Sequence, residues 1–171
     1  MFKRSMIVLV VLAAVTTGVF AQSTMTDVDF VKKAIEVFKL DSVQQTYIEG
    51  DRMGDYYRFY PAVKGGKVVG YVWWARNIRI ASHWEDIIML VKVDGGKAKL
   101  ADYWFSSNER HQNLFEPAAR AKFIGMTYDR SWNESADVVS GSTVSSYQFF
   151  SQFKTTLFVF QKYVIDMNLL K

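Results

Sequence analysis

Residues 137–146, Asp-Val-Val-Ser-Gly-Ser-Thr-Val-Ser-Ser, gather five hydroxyls around one glycine. They are Ser140, Ser142, Thr143, Ser145 and Ser146, and a strongly apolar, helix-like tail follows at once. A helix that begins here presents backbone N–H groups with no partners of their own. Its dipole adds partial positive charge at the same end. Together these suit an anion such as phosphate. Thr143 stands at or next to the cap. Val144, Ser145 and Ser146 supply the N–H groups, and the hydroxyls of Ser142, Ser145 and Ser146 add further donors. Gly141 has no side chain to hold an anion off, and Asp137 and Ser140 open the stretch. Ser and Thr are also ordinary helix caps, so a plain cap and a phosphate site both remain open on these residues alone.

Little else in the chain suggests chemistry. There is no cysteine and there are two histidines, His83 and His111. The first fact excludes disulfides, a thiolate nucleophile, thiolate-held iron–sulfur clusters and thioether-attached haem. No serine–histidine–acid signature surrounds either histidine. Glu85 and Asp86 adjoin where a strand is expected to start, so they point to opposite faces and do not form an acid–base pair. We therefore expect no catalytic set and no metal site.

The elements that must position residues 137–146 can be read from periodicity. In "TMTDVDFVKKAIEVFKL", Val31, Ala34, Ile35 and Phe38 recur at helical spacing behind Thr26 or Asp27 as N-cap, which predicts a helix ending near Leu40. Residues 41–54 read as a turn region with one short strand around Thr46–Ile48. Two pairs of β-branched and aromatic runs are each joined by Gly-Gly, at 65–66 and 95–96, and read as hairpins. Gly70, inside a run, predicts a bulge or a close backbone approach. Pro117 suits the first turn of a short helix. Phe150, Phe153, Leu157, Phe160, Val164 and Met167 step by three or four and predict a long helix over residues 144–168. The fold class is therefore α+β, an antiparallel hairpin-rich sheet packed with an N-terminal helix and a long C-terminal helix.

Composition and targeting bound the rest. The chain has 171 residues, half of them hydrophobic and 16% aromatic, enough for one domain with a real core. Lys3 and Arg4 precede an uncharged apolar run from Met6 to Phe20, and Ala21 offers a cleavage site, which reads as a signal peptide over residues 1–21. A single domain over 22–171 remains. The alternative is an uncleaved membrane anchor. A lipid-modified cysteine is excluded. Cleavage removes Lys3 and Arg4 and no acidic residue, so the formal charge of +4 falls to +2. That value, with no long Lys/Arg run, does not suggest a nucleic-acid partner.

The stretch "DVVSGSTVSS" resembles the D-x-x-S/T-G-A-T-x-S/T signature of the FMN-binding domain family, the NqrC- and RnfG-like domains of ion-pumping respiratory complexes and exported electron-transfer proteins. "GGKVVGYVWWA" and "IIMLVKVDGGKAKLADYW" look like that family's strand and hairpin, and the likeness covers roughly residues 55–147. It implies FMN attached by a phosphoester bond to Thr143, with Asp137, Ser140 and Gly141 matching the signature and Ser142 in place of the usual alanine. It implies an FMN transferase that uses FAD and Mg²⁺, and a redox partner protein, in the membrane or outside it. The protein would then be an exported electron carrier, periplasmic or otherwise extracytoplasmic, rather than a stand-alone enzyme. In "NERHQNLFEPAAR" the family's glycines are missing, with Glu109 and Leu114 on equivalent ground. Tyr71, Trp73, Trp74 and Trp104 are candidates for stacking on the flavin, although packing on the sheet is the commoner use of each. Non-covalent FMN and a flavin-free exported binding module are the alternatives.

Overall fold

A computed structural model of the protein describes residues 23–52, 54–80, 83–106, 112–131 and 143–170. Helix α1 spans Asp27–Phe38. Its start is a reciprocal cap. The Thr26 hydroxyl accepts from the Asp29 N–H at 3.3 Å, and the Asp29 carboxylate accepts from the Thr26 N–H at 2.8 Å, so two orphan donors are satisfied. The helix stops where Lys39 turns left-handed, with φ 54°. Its buried stripe is Phe30, Ala34 and Phe38, with Val31 and Ile35 at the margins.

Six strands follow: β1 Ser42–Val43, β2 Ile48–Arg52, β3 Asp55–Lys64, β4 Lys67–Ile80, β5 His83–Asp94 and β6 Lys97–Phe105. The main sheet is antiparallel in the order β1-β3-β4-β5-β6, and β2 pairs with β3. The strand in the 41–54 region thus runs from Ile48 rather than ending there, and β1 is an extra two-residue strand. Both Gly-Gly turns are of the mirror-image kind that suits twisted hairpins: Gly65 and Gly66 have φ of 59° and 70°, Gly95 and Gly96 of 60° and 76°. The two hairpins therefore turn at the same end of the sheet. Gly70 fulfils both sequence expectations. Ala62 pairs with Gly70 but Val63 with Val68, which makes Val69 a bulge, and a Cβ on Gly70 would lie 2.6 Å from the Val91 carbonyl oxygen. The β3–β4 ladder runs from Lys64/Lys67 to Tyr60/Val72, after which residues 55–59 pair only with β2 among the described residues. The sheet forks there.

Helix α2 spans Pro117–Phe123, with Pro117 in its first turn and a 3₁₀ turn, Gln112–Phe115, before it. The long helix α3 spans Thr143–Phe160 and widens into a π turn over Gln161–Ile165. Phe150, Phe153, Leu157, Phe160 and Val164 are buried as the stripe requires, but Met167 is 62% exposed. The cause is the π turn: the N–H of Asp166 bonds the carbonyl of Gln161 at 2.8 Å, five residues back, and the wider turn rotates later residues off the stripe.

The sheet separates two cores. On the α3 face, Phe59, Tyr103, Phe105, Phe123, Phe149, Phe153 and Phe160 join Ile87, Met89 and Leu100. On the α1 face, Phe30, Ala34 and Phe38 cover Ala62, Val72, Ile88 and Leu90. Both cores are built between Phe30 and Val164. The observed architecture is the α+β arrangement expected from the sequence.

Candidate functional site

The position of α3 decides what its first turn can meet. At its far end the Gln161 carboxamide accepts from the Ala98 N–H at 2.8 Å and donates to the Gly96 carbonyl at 3.2 Å, which fastens the helix to the β5–β6 turn. At its start Phe149 packs on Phe105, at the last residue of β6, with ring centroids 4.2 Å apart. The first turn therefore lies over the end of the sheet away from the Gly-Gly turns, near the beginning of β5.

Thr143 is the first residue of α3. Asp137, Ser140, Gly141 and Ser142 lie outside the described residues, as do the side chains of Thr143 and Val144. Ser145 and Ser146 are buried, and the Ser146 Oγ has no hydrogen-bond partner among the described residues. A buried hydroxyl without a partner carries a desolvation cost of about 1–3 kcal/mol, so this atom marks the first turn as polar and unsatisfied on its inner side.

The surroundings are aromatic and acidic. Phe105 lies between Phe149 and Phe115, each 4.2 Å away, and Phe115 keeps part of its ring exposed. The Tyr103 hydroxyl donates to the Leu114 carbonyl at 2.6 Å, and burial pushes its pKa up. Leu114 is itself buried core, while Glu109 and His111 lie outside the described residues. Glu85, on the α3 face of β5, is buried and accepts from the Ser106 hydroxyl at 3.2 Å. Asp86 faces the other way. Its carboxylate accepts from the Asn77 N–H at 3.1 Å and from the Ser23 hydroxyl, and the Ser23 N–H donates to the Asn77 Oδ1 at 2.8 Å. The two carboxylates are thus divided between the faces of the sheet. Asn77 occupies the bulge where β4 sets Arg76 and Asn77 against Asp86, with φ 52°.

The aromatic residues singled out in the sequence go elsewhere. Trp73 is buried against Tyr57, at 5.6 Å, and Tyr71 meets Phe160, at 5.1 Å, in the last turn of α3. Trp74 and Trp104 are on the α1 face: Trp74 stacks on Tyr60 at 4.2 Å, and the Lys33 ammonium lies 5.7 Å from the Trp104 ring. All four serve the packing of the sheet. Near the first turn of α3 lie Phe105, Phe115 and Phe149, none of which the sequence offered as a ring to stack on the flavin. Only the period-two pattern of β6 could have pointed to Phe105.

A concavity of about 220 Å³ opens at the sheet fork and is lined by Asp27, Tyr56, Arg58, Tyr60, Trp74 and Arg76. Its cations are engaged. Arg76 pairs with Asp27 and donates to the Met25 carbonyl at 2.7 Å, and Arg58 lies 4.9 Å from the Tyr47 ring. Burial alone would raise the Asp27 pKa, but hydrogen bonds from Arg76 and Trp74 outweigh it and hold the carboxyl below its ordinary value. Among the described residues no cluster of acidic groups and histidines could hold a metal ion, and no helix is long and apolar enough to cross a membrane. No family model matches the chain, and no curated protein or solved structure matches it either.

Proposed function

We propose that the protein is an exported flavoprotein electron carrier, with FMN joined by a phosphoester bond to Thr143 and with electrons passing to or from an extracytoplasmic or membrane redox partner. The observation that carries this reading is the start of α3 at Thr143, one turn before the Ser146 hydroxyl, which has no partner among the described residues. The donor set fits a phosphate: free N–H groups in the first turn of an 18-residue helix, the positive end of its dipole, and hydroxyls at Ser145 and Ser146. Thr143 tethers, with Asp137, Ser140, Gly141 and Ser142 shaping the approach to it. The partly exposed Phe115 ring offers an apolar surface beside the polar turn and keeps water from that side. FMN, when bound, supplies one- and two-electron chemistry, which the protein tethers and tunes. Maturation takes an FMN transferase, with FAD and Mg²⁺. Export rests on residues 1–21, cleaved or kept as an anchor.

The burial of both Ser145 and Ser146 favours a second reading, a flavin-free exported binding module, because it draws two of the expected phosphate donors into the helix–sheet interface. Intact mass distinguishes the readings. After co-expression with an FMN transferase in an exporting host, the carrier gains the mass of one FMN less one water, and Thr143→Ala loses that gain. Yellow colour released by acid precipitation means non-covalent FMN. A colourless protein of unchanged mass leaves the binding module.

A further inference from the structure

The end of the sheet opposite the first turn of α3 carries a patch that no part of the flavin reading uses. Strands β4 and β5 are neighbours, so the turns at Gly65-Gly66 and Gly95-Gly96 stand side by side. Three β-branched side chains flank them in the open: Val68, Val69 and Val93 are 50%, 42% and 40% exposed. Around them are Lys64, Lys67, Lys92, Lys97 and Lys99. Lys39 belongs to the same end, since Asp41, two residues on, accepts from the Gly65 N–H at 2.6 Å. Lys99 pairs with Asp94 at 2.8 Å. Lys64, Lys67, Lys92 and Lys97 make no ion pair among the described residues.

Six lysines against three aspartates, Asp41, Asp94 and the Asp129 that lies beside Lys97, leave three net positive charges at one end, more than the +2 of the chain from Gln22 onward. The charge is therefore concentrated and not spread. Lysines at strand ends also keep sheets from adding to one another, but that role gives no reason to expose three valines between them. Apolar side chains flanked by lysines, whose stems lie along apolar surface while the ammonium stays in water, are the composition of a surface that settles into the headgroup layer of a bilayer.

We propose that the two glycine turns form a docking surface for an anionic lipid bilayer, with Val68, Val69 and Val93 entering the headgroup region and the lysines pairing with lipid phosphates. The charge complementarity commits the surface to an acidic membrane. The proposal is independent of the flavin reading, and Thr143 lies at the other end of the 18-residue α3, about 27 Å along its axis.

The test is flotation with vesicles of phosphatidylcholine, alone or mixed with phosphatidylglycerol. It uses the chain from Gln22 onward, which holds both cores whole and omits the apolar run that would insert by itself. The chain should float only with the mixed vesicles, and less as salt rises. The double variant Lys64→Gln/Lys67→Gln should bind about 30-fold more weakly. Val69→Ser/Val93→Ser should also weaken binding, with the salt dependence kept. Thermal melts establish that the variants remain folded. The proposal is overturned by no flotation at low salt, by equal flotation with phosphatidylcholine alone, or by wild-type binding of the lysine variant. Capture of a soluble acidic protein without any vesicle binding overturns it too.

Discussion

The two faces of the sheet come from alternate residues of the same strands, yet they are held in different ways. Under α3, Tyr103 alone meets Phe105, Phe115, Phe123 and Phe153 within 6.4 Å, so the apolar contact is broad, with the Gln161 carboxamide and the Tyr103 hydroxyl adding hydrogen bonds to it. Under α1 the apolar contact is narrower. It is supplemented at the edge by directional bonds: Arg76 to Asp27 and to the Met25 carbonyl, Trp74 to Asp27 at 3.2 Å, and Ser23 to Asp86 and Asn77. An aromatic interior loses stability wherever it is cut, because each ring fills space for several others. A helix held by one stripe and a few polar clasps can come away as a unit. The α3 face thus sets global stability, and the α1 face sets a local one.

The largest effect should come from Phe153→Ala. The ring is fully buried between Tyr103, Phe123 and Phe149, and its loss should cost about 3–5 kcal/mol in urea unfolding, with every probe moving together. Phe30→Ala removes the ring that stacks on Trp74 at 5.9 Å and lies under Arg76. We expect about 3 kcal/mol, spent mainly on the docking of α1: hydrogen exchange should speed up across residues 27–38 well before the amides of β4 and β5. Exchange that rises equally everywhere would erase the contrast between the faces. Thr26→Ala breaks the reciprocal cap and should cost about 1 kcal/mol, again read in the α1 amides. The smallest effect is that of pH. The Asp27 carboxyl has its pKa below the ordinary value in the folded protein, so its contribution is complete above the unfolded value of about 3.9. It is lost as pH falls through the lower folded value. The pair is exposed, and after solvent screening the loss should be at most about 0.5 kcal/mol. Asp27→Asn should remove that acid-dependent step from α1 exchange and leave the α3 face untouched.

Much of this organisation was legible where one residue type answers a local need. The Gly-Gly turns required positive φ, Gly70 had no space for a Cβ, and Thr26, one of the two caps offered, is the one used, with Asp29 completing it. Where several residues could answer, the sequence misled. Phe30, not Val31 or Ile35, carries the α1 stripe, because the choice depends on how the helix is rotated against Val72 and Ile88. Met167 leaves the stripe because the Gln161–Ile165 turn widens, a change that residue spacing does not record. Trp73, Trp74, Tyr71 and Trp104 attracted attention as large rings, but alternation along the strands divides them between two faces and two ends. At the candidate site the helix start at Thr143 was legible. The burial of Ser145 and Ser146 was not, since it depends on which side of the first turn meets β6 and the start of β5.

The clasp at Ser23 also fixes the point at which the chain enters the fold. Ser23 is held by Asn77 and Asp86 near the β4–β5 connection, on the opposite side of the molecule from the lysine-rich turns. Were the signal over residues 1–21 kept as an anchor, the tether would pull from the end where α3 begins. Were it cleaved, and were the glycine turns to dock on a bilayer as proposed, the start of α3 would be held away from the lipid. Cleavage would then decide which end of the molecule is turned toward the membrane.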